Sequence, residues 1–190
     1  IMKSAIPVHK GQHIEINING LGSTGEGVGR YKDFTVFVNG ALPKEVVKTR
    51  ITNVKKTYAQ GDVQEIIKAS KDRVKPVCPV YDACGGCQLQ HLSYEAQLKV
   101  KQAQVKDALT RLGHLGEVPV LPTLQAAEPL YYRNKMQFPV SSAKGKLEIG
   151  CYMAASHDVV DVEHCYIQKE INNDIVRAVR QWMKMYKINP

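Results

Sequence analysis

A chain of 190 residues that is 44% apolar is long enough to bury a real core in one domain or in two small ones. It shows no signal-peptide pattern and no apolar run of 18 or more residues, so the expectation is a soluble, cytoplasmic protein that engages no membrane. Lys and Arg outnumber Asp and Glu by 26 to 18, and a net charge of +8 suits a polyanionic partner such as nucleic acid. Five cysteines in a cytosolic chain favour metal or redox chemistry over a disulfide framework, and an odd count leaves at least one without a partner. Ile1 ahead of Met2 reads as an appended residue before a native start at Met2.

The first seventy residues read as strands. Ile14, Ile16 and Ile18 alternate with Glu15 and Asn17, the period of a half-buried strand, and Gly20, Gly22, Gly25, Gly27 and Gly29 punctuate the next stretch. Thr35 to Val38 supplies a second strand, and Val46 to Val54 and Val63 to Ile67 supply further ones, with a turn expected at Gln60-Gly61-Asp62. Short strands at this spacing with no helical pattern between them predict a small, closed or nearly closed β-barrel over residues 1–70, of the OB-like kind that commonly binds oligonucleotides. Basic side chains outnumber acidic ones by ten to six in that stretch. Arg30, Lys32, Lys55 and Lys56, near Tyr31, Phe34 and Tyr58, are the cations that would meet a phosphate backbone, with a solvated barrel exterior as the plain alternative.

Beyond a boundary near Ala69 to Pro76 comes C-P-V-Y-D-A-C-G-G-C, which packs Cys78, Cys84 and Cys87 into ten residues and is expected to converge on a metal centre. A fourth ligand must come from Cys151 or Cys165. Structural zinc sites usually pair two C-x(2–4)-C units, whereas three thiols from one loop and one from afar is a common iron–sulfur pattern, so the cluster is favoured with zinc as the alternative. Gly85-Gly86 would let backbone fold closely around a bulky cluster and aim amides at its sulfurs. Cys165, at a strand end, is the expected fourth ligand; Cys151, inside a strand, reads as a small apolar residue, and His91 and His164 could donate hydrogen bonds from behind the ligands.

The period then changes. Ser93 can cap a helix whose Leu98, Val105, Ala108, Leu109 and Leu112 form a packed stripe stopped by Gly113, leaving Lys99, Lys101 and Lys106 exposed. Tyr131 to Phe138 reads as a strand with Tyr132, Met136 and Phe138 on one face and Arg133, Lys135 and Gln137 on the other, which could meet RNA. Leu147 to Tyr152 and Val159 to Val162 continue an antiparallel sheet through short Lys144-Gly145 and Ser156-His157-Asp158 connections. A last helix from about Gln168 should pack Ile171, Ile175, Val179, Trp182 and Met183, and expose Arg177, Arg180 and Lys184. Residues 71–190 are thus expected to form an α+β domain with a mainly antiparallel sheet and an iron–sulfur loop.

Three motifs together, C-P-V-Y-D-A-C-G-G-C-Q-L-Q-H-L, Y-Y-R-N-K-M-Q-F and S-H-D-V-V-D-V-E-H-C, resemble the bacterial uracil-5 methyltransferases of 23S ribosomal RNA. G-E-G-V-G-R and F-V-N-G-A-L-P-K-E-V-V resemble the TRAM domain, an RNA-binding barrel at that family's N-terminus. The resemblance implies a [4Fe–4S] cluster on Cys78, Cys84, Cys87 and Cys165, structural or RNA-positioning rather than catalytic, and gives Cys151 no role. It also implies a doubly wound domain that binds S-adenosylmethionine and supplies a cysteine nucleophile and an acidic base. No Gly-rich strand-to-helix turn for such a domain is present here, so these residues are expected to be the N-terminal portion of the enzyme, inactive alone and with no protein partner inferred. A non-catalytic RNA-binding module stapled by a structural metal is the alternative. Radical methylthiotransferases also carry TRAM domains, but they use C-x3-C-x2-C to leave one iron open, unlike the C-x5-C-x2-C found here.

Overall fold

The computed structural model describes residues 6–142 and 145–190; the Met2 start and the Lys144 part of the sheet connection lie outside the described residues. The chain divides into two compact units. One takes the chain up to Val74 together with Glu95–Thr123, the other Lys75–Tyr94 together with Leu124–Pro190.

In the first unit, β1 (His13–Leu21), β2 (Gly27–Tyr31), β3 (Phe34–Asn39), β4 (Val46–Val54) and β5 (Tyr58–Lys68) close a barrel in the order β1-β2-β3-β5-β4. All pairings are antiparallel except β3 with β5, which run parallel. Ile14, Ile16 and Ile18 point inward as their alternation requires, and meet Val36, Val38, Val47, Ile51 and Ala59 in the barrel core.

Gln60-Gly61-Asp62 is not a turn but the middle of β5, paired with both β3 and β4. Glycine is there because the neighbouring strand leaves no room: a Cβ at Gly61 would stand 2.5 Å from Thr49 Cγ2 and 2.7 Å from the Arg50 carbonyl oxygen. Gly27 and Gly29 likewise sit inside β2, a strand that the glycine pattern hides. Gly61→Val should therefore destabilise the barrel by about 1–3 kcal/mol, the usual cost of forcing bulk into a packed site, read as a lower denaturant midpoint with an unchanged slope.

The buried centre of this unit is also ionic. Glu45, 1% exposed, takes the Leu42 N–H at 2.9 Å and the Ser70 N–H at 3.2 Å, and Arg73 grips both its oxygens at 2.7 and 2.8 Å. Arg73 also donates to the Gly40 carbonyl at 2.6 Å, so one ion pair ties the β3–β4 connection to the chain leaving β5. Helix α1 (Tyr94–Asp107) begins directly after Ser93 and runs into a π-helical turn, Ala108–Leu112, ended by Gly113. Its expected packed stripe is not formed: Val105 and Leu112 are exposed, and Ala96 is the buried residue of α1. Val105 is already exposed within α1, ahead of the π turn, so the stripe is lost before the helix repeat changes. Lys99, Lys101 and Lys106 are exposed, in agreement with the sequence pattern.

In the second unit, β6 (Val140–Ser141), β7 (Glu148–Tyr152) and β8 (Val159–Asp161) form a small antiparallel sheet, followed by α2 (Glu170–Met185). The expected strand at 131–138 is absent. Tyr131 has φ +54°, which breaks an extended run, and the segment makes one isolated parallel bridge, Arg133 with Gln168. Tyr132 is exposed rather than packed.

Helix α2 is turned opposite to its apolar stripe. Ile171, Ile175, Val179 and Trp182 are all exposed, Trp182 by 54%, while Asn173, Arg180 and Met183 face inward. Polar anchors set this rotation. Arg180, expected on the solvent face, reaches Asp161 at 2.7 Å and the Ile149 carbonyl at 3.3 Å, and Asp161 accepts the Ile149 N–H at 3.0 Å. Burial would raise the Asp161 carboxyl, but the Ile149 N–H and the Arg180 guanidinium outweigh it and hold the group below the usual carboxylate range.

Candidate metal centre and nucleic-acid interface

The loop carrying Cys78, Cys84 and Cys87 is fixed from within. The Cys78 N–H donates to Gln90 Oε1 at 3.2 Å, and the Tyr81 hydroxyl lies 2.7 Å from the Gln88 carbonyl and 2.6 Å from His91 Nδ1. The loop is also laid against the end of β7. Cys84 bridges antiparallel to Met153, and the Gly85 N–H donates to the Tyr152 carbonyl at 2.9 Å. A Cβ at Gly85 would meet that same carbonyl oxygen at 2.9 Å, so any side chain at this position would push the loop off the strand. The Gly86 N–H points at Cys84 Sγ, 3.4 Å away, the backbone-to-sulfur approach that the glycines were expected to permit.

Cys165 is held from α2. Asn173, 1% exposed, accepts the Cys165 N–H at 3.0 Å through Oδ1 and donates to the Cys165 carbonyl at 3.3 Å through Nδ2. Gln168 Nε2 donates to the same Oδ1 at 2.6 Å. Asn173 does not stand out in the sequence, where it reads as one more polar residue on a helix; its signal is the eight-residue step back to Cys165, which only the turn into α2 brings close. His164 is engaged with Glu170 at 3.3 Å and stacks edge-on with Tyr131 and Tyr166.

One recess receives all of these thiols. Cys78, Cys84, Cys87 and Cys165 line it with Cys151, among Val80, Met136, Val162 and Ile167. Cys151, read from the sequence as a small apolar residue, thus shares the site. Among the described residues no group of three or more His, Cys, Asp or Glu side chains is placed to hold a metal ion, so the expected convergence of the thiols on one point is not seen, although they share this recess. A mononuclear zinc site with Zn–S bonds of about 2.3 Å would draw its sulfurs to within about 3.8 Å of one another. Five cysteine thiols lining one apolar recess are a donor set of the kind that an iron–sulfur centre uses.

Thiol ionisation follows from the same packing. Burial pushes the Cys78 and Cys87 thiols up, with the Val80 N–H and Gln90 respectively opposing it. Cys84 drops to about 6, chiefly because the Cys151 thiol hydrogen-bonds to it, and that same bond drives Cys151 upward. Ligand thiols must lose their protons to bind metal, so uptake at this site should weaken as pH falls.

The barrel cations form a second assembly. β3 runs parallel to β5 with Thr35 opposite Tyr58, so the β2–β3 turn and the β4–β5 turn, which lead into these two strand starts, lie side by side at one end of the barrel. The first turn is a two-residue loop with Lys32 at φ +47° and Asp33 at φ +63°, the hairpin geometry that suits the strand twist. Arg30 and Lys32 therefore sit beside Lys55 and Lys56, and all four are exposed. Lys32 Nζ lies 5.6 Å from the Tyr31 ring centre, and Tyr58 packs edge-on against Phe37. Tyr31 and Phe34 rest partly on the core, which fixes the end of the barrel and leaves these rings only part of a face to offer a base. Arg133, by contrast, is half buried with Nη1 3.5 Å from Met136 Sδ, and its neighbour Lys135 is exposed, so these two do not share one strand face.

Residues 7–64 match the family model of the TRAM domain. Over 99% of its length the chain is 43% identical to a curated uncharacterized RNA methyltransferase of Clostridium tetani, and over 94% it is 44% identical to one of Halalkalibacterium halodurans. It covers 41% and 39% of those proteins, so the chain spans about two-fifths of the length of the relatives it matches. A solved Pyrococcus abyssi tRNA (uracil-54, C5)-methyltransferase, in complex with S-adenosyl-L-homocysteine, shares the fold over 92% of this chain and 37% of its own, with a TM-score of 0.64 at 23% identity. The barrel thus carries the TRAM match, and the whole chain is similar to the matched two-fifths of RNA methyltransferases.

Proposed function

We propose that these residues are the RNA-gripping and iron–sulfur portion of an S-adenosylmethionine-dependent methyltransferase that acts on carbon 5 of uridine in 23S rRNA. The observation that carries the RNA part is the register of β3 with β5, which gathers Arg30, Lys32, Lys55 and Lys56 at one end of a TRAM barrel. Cys78, Cys84, Cys87 and Cys165 would hold a [4Fe–4S] cluster that staples the loop of Cys78–Cys87 to the turn before α2, and the cluster's chemistry here is structural. Asn173 orients Cys165 through both of its main-chain polar groups, and apolar side chains line the recess beside the half-buried cysteines.

Methyl transfer is assigned to residues other than these 190. In such an enzyme a cysteine thiolate adds to carbon 6 of the uracil, carbon 5 takes the methyl group of S-adenosylmethionine, and a base removes the carbon 5 proton, all on an extruded nucleotide. Four of the five thiols here are committed to the cluster under this reading, and Cys151 lies in the ligand recess with them.

The test is binding of a 23S rRNA transcript by the chain across a salt series. The R30A/K32A/K55A/K56A variant should bind more weakly and flatten the slope of log K against log salt by about 0.7–0.9 for each phosphate no longer neutralised. R133A/K135A should weaken binding less, through the exposed Lys135. An unchanged slope in the fourfold variant would contradict the barrel-end interface. Methyl transfer from S-adenosylmethionine by the 190 residues alone would contradict the division of labour, and would exclude the non-catalytic module as well.

A further inference from the structure

Cys151 is the thiol that the proposed four-ligand set leaves over, yet it lies in the ligand recess. The antiparallel bridge of Cys84 with Met153, with the Gly85 N–H on the Tyr152 carbonyl, sets Gly86 opposite Cys151 when the register is continued. Cys84 and Cys151 are then diagonal neighbours on one face of this short ladder, with a glycine in the gap between them. The space agrees with that register: a Cβ on Gly86 would lie 3.4 Å from Cys84 Sγ and 3.5 Å from Cys151 Sγ. The register gives Cys78, Cys87 and Cys165 no comparable neighbour among the described residues.

We infer that Cys84 and Cys151 are alternative ligands for one corner of the metal centre, so that Cys151 can hold the group when Cys84 cannot. The inference rests on the cluster reading above. The exchange is redox-neutral: the iron–sulfur bond to one cysteine breaks with its electron pair left on that sulfur, the bond to the other forms, and the proton of the incoming thiol passes to the departing thiolate. Gly86 stands between the two sulfurs, where even a Cβ would come into van der Waals contact with both.

The experiment is anaerobic reconstitution of the 190-residue chain with ferrous iron and sulfide, followed by iron and sulfide analysis of the wild type and of C84A, C84S, C87A and C84A/C151A. C84A and C84S should keep iron and sulfide within about twofold of the wild type, while C87A and C84A/C151A lose at least tenfold. Iodoacetamide labelling supplies a second readout: Cys151 should be labelled in loaded wild type and protected in loaded C84A. C84S guards against a folding defect peculiar to the alanine. Loaded wild type with both C84A and C84S as empty as C87A would overturn this inference and leave the four-cysteine cluster standing. Retention of iron by C84A/C151A would overturn it too, and wild type that takes up no iron or sulfide would remove the cluster reading and this inference together.

Discussion

Replacing Glu45 with Ala is expected to destabilise the barrel unit by about 3–5 kcal/mol, the range for breaking one partner out of a buried ion pair. The side chain is fully enclosed and answers four donor groups, from Leu42, Ser70 and two positions of Arg73. Without it, the Arg73 guanidinium remains beside the barrel with its main acceptor gone, and two buried N–H groups lose theirs. Glu45→Gln should cost less, since the amide oxygen can still accept from one side. Urea unfolding followed by circular dichroism measures both, and a loss below about 1 kcal/mol for the alanine would contradict the role given to this pair.

The same group makes stability depend on pH. Burial alone would raise the Glu45 carboxyl, but the hydrogen bonds from Arg73, Leu42 and Ser70 outweigh it and the folded pKa lies below the ordinary value of 4.5. A depressed folded pKa means that the contribution is complete above the unfolded value and is lost as pH falls through the folded one. Wild-type stability should therefore fall below about pH 4.5 more steeply than that of Glu45→Gln, which has no carboxylate to protonate there.

Cys165→Ala should strip iron and sulfide at least tenfold, because under the proposed cluster Cys165 would be the ligand that joins the cysteine loop to the turn before α2. Asn173→Ala should act on the same site without touching a sulfur. It removes the acceptor of the Cys165 N–H and of Gln168, and the donor to the Cys165 carbonyl, leaving buried polar groups unpaired at about 1–3 kcal/mol each. Its cluster should still assemble but be lost faster to a chelator, and retention times equal to the wild type would show that Cys165 is positioned by other means.

The barrel is legible in the sequence where side chains alternate, and β1 and β4 carry that alternation cleanly with Ile14, Ile16, Ile18 and Val47, Ile51. β2 and the middle of β5 are concealed, because close strand approach at Gly27, Gly29 and Gly61 demands the residue that elsewhere marks a turn. The cysteine loop is readable from spacing alone. The place of Cys151 is not, since it depends on an isolated bridge between Cys84 and Met153, a long-range pairing with no local signature. Helix α2 misleads for a physical reason: periodicity identifies an apolar stripe but not what covers it, and Arg180, Asn173 and their hydrogen bonds decide which side turns inward. Charge predicts cations on the barrel, but only the parallel pairing of β3 and β5 puts Arg30 and Lys32 beside Lys55 and Lys56.

The central claim is that the five-thiol recess houses an iron–sulfur cluster, and the direct measurement is an absorption spectrum with iron, sulfide and zinc analysis of the chain purified without oxygen. A brown protein with about four iron and four sulfide per chain is the predicted result. A colourless protein holding one zinc ion would contradict it, and would make the second unit a zinc-stapled partner of an RNA-binding barrel.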